Sequence, residues 1–115
     1  MNDEVKNTRD RIRETLELIA SKEDQLTYQE GVPYVKVSGE IFNQWEDWYF
    51  PGEPDFAAAF TPDELAALHE FNATFEKIAD ATPQILPPIQ EFVETSEWQE
   101  YSDAAITALQ AFTKD

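Results

Sequence analysis

The chain has 115 residues, 42% hydrophobic and 13% aromatic, with 8 bases against 24 acids and a net charge of −16. That length suits one core and is short for two, and the apolar share is too high for a disordered chain. The charge argues against direct nucleic-acid binding and against an anionic membrane surface, both of which need a basic face. Cysteine is absent, which removes disulfides, thiolate zinc sites and cysteine nucleophiles. No apolar run approaches the ~20 residues of a membrane span, and the acidic start is unlike a secretory signal, so a single cytoplasmic domain over residues 1–115 is expected.

The first predicted element is a helix over about residues 3–21. Asn2 or Asp3 can cap it, and Val5, Ile12, Leu16 and Ile19 share one face. Its apolar face either docks internally or pairs with another chain, which leaves a homodimer open. From Gln25 to Val37 the pattern alternates, with Leu26 and Tyr28 before Glu30-Gly31-Val32-Pro33 and Tyr34, Val35 and Val37 after; this admits one short β-hairpin near residues 25–37, with Pro33 confining it to an edge. Ser38-Gly39 then introduces a helix in which Ile41, Phe42, Trp45, Trp48 and Tyr49 follow the i, i+1, i+4, i+7, i+8 rule of an amphipathic face. Pro51-Gly52-Glu53-Pro54 ends it.

Thr61-Pro62-Asp63-Glu64 starts the next helix with an N-cap threonine, a proline at the first helical position and a capping-box glutamate, and Leu65, Leu68, Phe71, Phe75 and Ile78 carry it to about Ala81. Thr82-Pro83 breaks it. Pro87-Pro88 opens a short helix bearing Ile89, Phe92 and Val93, and Thr95 or Ser96 caps a last one that packs through Trp98, Tyr101, Ala105, Leu109 and Phe112. The expected fold is mainly α, a small bundle of four to five helices with at most that one hairpin.

Catalytic signals are sparse. His69-Glu70 begins a zinc-protease helix motif, but the position four residues after His69 is Ala73, where the second histidine would have to stand. The serines lie in no nucleophile elbow, three glycines supply no phosphate loop, and no calcium-loop pattern is present. No enzymatic activity, cofactor or metal is expected. Glu91, Glu94, Glu97, Glu100 and Asp103 recur every third residue, but a step of three in a helix advances 300°, so the row winds round the axis and forms no single acidic face.

The charge itself is unevenly placed. Residues 1–22 hold five bases and five acids, whereas residues 23–115 hold three bases and nineteen acids, which accounts for the whole imbalance. Within that acidic part, Glu46, Asp47, Trp48, Tyr49, Phe50, Glu53 and Asp55 set three consecutive aromatics and a turn among four carboxylates. Large aromatics anchor interfaces and surrounding acids steer a basic partner inward, so these seven are the candidate partner-binding residues. Helical periodicity assigns Trp48 and Tyr49 equally well to the core, and Phe50 is the aromatic it leaves over.

Across about ten residues this segment resembles the immunity proteins that neutralise nuclease colicins, small acidic helical bundles whose binding region carries an aromatic pair, then proline, with an acid three residues before the pair and more acids after. The matching residues are Tyr49, Phe50, Pro51, Glu46, Glu53 and Asp55; Phe50 stands where that family has tyrosine. The resemblance implies a bacterial inhibitor whose partner is a basic toxin. Two rival expectations stand beside it: a nucleic-acid mimic with acids along an elongated face, and a salt-adapted acidic scaffold of unrelated role.

Overall fold

A computed structural model describes residues 3–82 and 85–112. The Asn2 cap, the break at Pro83 and the charge of Lys114 lie outside the described residues. Among those described there are seven helices and no strand: α1 (Asp3–Ala20), α2 (Lys22–Gly31), α3 (Val37–Trp48), α4 (Pro54–Ala58), α5 (Pro62–Ala81), α6 (Ile89–Phe92) and α7 (Ser96–Gln110). The mainly α reading holds. The count exceeds the expected four to five, because α2 stands where the hairpin was expected and α4 is a single turn that begins at Pro54, the last residue of the segment read as a break.

The hairpin is corrected by its own residues. Ser21 caps α2, its Oγ accepting from the Asp24 amide at 3.1 Å, and Glu23 and Asp24 lie in the first turn, where the positive end of the helix dipole favours acids. Gln25, fully buried, donates from Nε2 to the carbonyls of Leu18 and Ile19 at 2.9 and 3.0 Å, closing the C-terminal end of α1. Its Oε1 accepts from the Trp98 indole at 2.8 Å. Beyond α2, Gln29 does for the turn what a strand ladder would have done: its Nε2 donates to Val32 and Val35 carbonyls and its Oε1 accepts from the Val37 amide. The apolar residues there do not share a strand face: Leu26 and Tyr28 are each partly buried on α2, about 200° apart round its axis, and Val35 and Val37 belong to the turn and the start of α3.

α1 and α5 both pack on α7, and α1 also meets α3 and α4. The face of α1 carrying Val5, Ile12, Leu16 and Ile19 is buried within its own chain. An aromatic stack fills the centre. Tyr101 is fully buried, lies on Phe42 at 4.7 Å with the rings 3° from parallel, and donates its hydroxyl proton to the Ile41 carbonyl at 2.9 Å. Phe71 and Phe75 approach the same ring from α5, and Phe92 meets Phe42.

Two ties complete the frame. The Thr61 capping box forms as expected, with the Glu64 amide donating to Oγ1 at 3.2 Å and the Thr61 amide to Glu64 Oε1 at 2.8 Å. The same carboxylate, 1% exposed, takes the Arg9 guanidinium in a bidentate pair at 2.6 and 2.8 Å, and Arg9 also donates to the Ala59 carbonyl at 3.1 Å. This clasp fastens α1 to the start of α5.

Candidate functional site

The candidate segment is the seam between α3 and α4. The α conformation ends at Trp48; Tyr49 is extended, with φ −89° and ψ 99°, and its amide still donates to the Trp45 carbonyl. Pro51 bars Phe50 from continuing the helix, and a turn closes through the Glu53 amide and the Phe50 carbonyl at 3.0 Å. Glu53 then takes the cap position of α4, Pro54 its first turn, and Phe56 drops into the core at 3% exposure.

This path divides the three aromatics. Tyr49 turns inward, stacked on Trp45 at 4.6 Å and edge-on to Phe56 at 5.4 Å; its burial, and then the charge of Glu76, hold its hydroxyl above the usual value. Trp48 is half-buried, and the Arg11 guanidinium lies 5.8 Å from its ring centre, within cation–π range. Phe50 is 51% exposed. Tyr49 and Trp48 are therefore both partly buried and packed against the core, Tyr49 through ring contacts with Trp45 and Phe56, and Phe50 faces solvent.

The carboxylates divide as well. Asp47, Glu53 and Asp55 line a shallow cleft of about 240 Å³ together with Trp48, Phe50, Phe56 and Thr8. Five of the seven predicted residues thus meet at one place. Glu46 is exposed but absent from the cleft; its charge bears instead on Tyr101, whose hydroxyl is held well above the usual value first by burial and second by Glu46. Among the described residues, none of Asp47, Glu53 and Asp55 has an ion-pair partner, whereas Asp10, Glu14, Glu64, Glu94 and Glu100 all do.

Three participants were not foreseen. Phe56 was within reach, since it follows a proline that opens a helix turn. Thr8 and Arg11 come from α1, about forty residues upstream, and no local pattern announces them.

Elsewhere the chemistry is thin. His69 is exposed. Among the described residues no three His, Asp or Glu side chains gather as a metal site would require. The every-third-residue acids are spread over α6, the following turn and α7, and Lys22 and Lys77 take Glu94 and Glu100. A larger cleft of about 580 Å³, beside Pro33, Tyr34 and Pro88, lies near the other end of α3, but its Glu30 and Lys36 offset each other. At the aromatic turn, by contrast, the exposed Phe50 ring stands on a cleft whose three lining charges are all carboxylates. No helix is long and apolar enough to cross a membrane among the described residues. No protein-family model, no curated protein and no solved structure matches this chain.

Proposed function

We propose that this chain is an acidic binding protein that masks a basic surface on a partner protein, in the manner of a toxin-neutralising immunity protein. The observation that carries the reading is Phe50, half exposed on the edge of a cleft whose three carboxylates have no cation of their own among the described residues. Charges in this position steer a basic partner into encounter, and an aromatic ring beside them supplies apolar area that desolvates on contact. The local likeness to nuclease-colicin immunity proteins points the same way and suggests a basic toxin as partner. The principal extents of 39 × 27 × 25 Å favour this local site over a nucleic-acid mimic, which needs a long acidic face.

The test separates steering from anchoring. A basic protein captured at low salt is returned to purified chain and its rate constants are measured. The triple variant Asp47→Lys, Glu53→Lys, Asp55→Lys should slow association by about tenfold or more and flatten its salt dependence. Phe50→Ala should mainly speed dissociation, by roughly tenfold, while leaving the exposed site's stability within about 0.5 kcal/mol. Rate constants unchanged in both variants would reject the site.

A further inference from the structure

The cleft beside Phe50 is smaller than the ~300–1,000 Å³ typical of small-molecule sites, at about 240 Å³. It has room for a side chain. Trp48, Phe50 and Phe56 give it apolar walls, and Asp47, Glu53 and Asp55 give it acceptors. A long cationic side chain matches both, laying its methylenes on the rings and its head among the carboxylates.

Arg11 indicates which cation fits better. Its guanidinium already lies over Trp48 at 5.8 Å, while its ion pair is with Glu14 at 3.4 Å and not with any acid of the cleft. The indole therefore accepts a guanidinium, and the cleft acids stay free of it. A planar guanidinium stacks on rings and forks to carboxylates, whereas a lysine ammonium is a compact, strongly hydrated point charge. The three tryptophans also differ. The Trp45 indole donates to Asn72 at 2.9 Å and the Trp98 indole to Gln25, whereas the Trp48 N–H has no protein partner among the described residues and is not sealed from solvent.

Resting on the reading above, we propose that the cleft receives one arginine side chain of the basic partner, held between the Trp48 and Phe50 rings and the carboxylates of Asp47, Glu53 and Asp55.

The test needs no partner. The intact, ¹⁵N-labelled protein is titrated at low salt with N-acetyl-arginine-N-methylamide and, separately, with the lysine equivalent, and the tryptophan indole signals are followed. The Trp48 signal should move with a dissociation constant on the order of 10 mM, while those of Trp45 and Trp98 stay in place. The lysine probe should need about threefold more for the same shift, and the Asp47→Asn, Glu53→Gln, Asp55→Asn variant about tenfold more arginine. Every other signal of that variant should match the parent away from the cleft, which shows that it is folded. A stationary Trp48 signal, equal responses to the two probes, or an undiminished response in the variant would overturn the arginine anchor. If partner binding still depends on Phe50 and the carboxylates, those results leave the masking function standing. An intact arginine response in a protein whose partner binding ignores Phe50 would instead support the side-chain receptor and remove the masking function.

Discussion

Glu64 is 1% exposed yet its carboxyl is held below the ordinary value of 4.5, because the Arg9 guanidinium and the Thr61 amide replace the water it gives up. Its first and largest support is the hydrogen bond from Arg9. A carboxylate with a lowered folded value stabilises the fold above its unfolded value, and that contribution disappears as pH falls through the lowered one. Glu64→Gln should therefore cost about 3 kcal/mol at pH 7, read as a fall in denaturant midpoint, and the gap to the parent should close as both are taken well below pH 4.5. A gap independent of pH would mean that packing, not charge, sets the cost. At this scale the sequence was legible in part. The capping role of Glu64 is written in Thr61-Pro62-Asp63-Glu64, and Phe50 stood out as the aromatic left over by helical spacing. Arg9, 55 positions from its carboxylate, carries no mark distinguishing it from Arg11 or Arg13 in the same mixed-charge helix.

Among the elements, α1, α3, α5 and α7 announce themselves by long apolar periods, and α5 and α7 also by their threonine caps, since 15 or more residues or a strong amphipathic face outweigh local ambiguity. α3 starts one residue before the expected Ser38-Gly39, with Lys36 at its cap position and no side-chain cap. α2 does not announce itself. Its ten residues carry a short apolar alternation that a strand would share, and what decides the matter is Gln25, whose three hydrogen bonds reach two carbonyls of α1 and the indole of Trp98. A polar residue with distant partners looks like an ordinary surface glutamine in a sequence. Gln25→Ala should cost about 2–3 kcal/mol, because it orphans a buried indole N–H as well as the end of α1. Thr61→Ala, which removes one cap, should cost nearer 1 kcal/mol. Equal costs on equilibrium unfolding would show that Gln25 is no more than a cap. The one-turn α4 escaped for a different reason: Pro51-Gly52-Glu53-Pro54 is a genuine chain reversal, and a helix of five residues has no period to read.

For the whole molecule the excess of sixteen negative charges acts in two opposite directions. Self-repulsion loosens the fold, so added salt should raise the unfolding midpoint; the same screening should slow association with a basic partner. Opposite salt slopes for stability and for association rate distinguish a recognition surface from acidity serving only the fold, which gives the first slope without the second. Two copies carrying this charge also repel, and the face of α1 that could have paired them is spent inside the chain.

The Arg9–Glu64 clasp has a topological consequence. It closes a ring of chain just inside Thr8, and the chain between its ends supplies Asp47, Trp48, Phe50, Glu53, Asp55 and Phe56. Once that ring is shut, Thr8 stands beside residues that lie some forty positions further along. α7 lines no part of the cleft, yet it is the floor on which α1 and α5 rest. A defect there that let α1 drift would unseat the recognition surface with all its carboxylates intact.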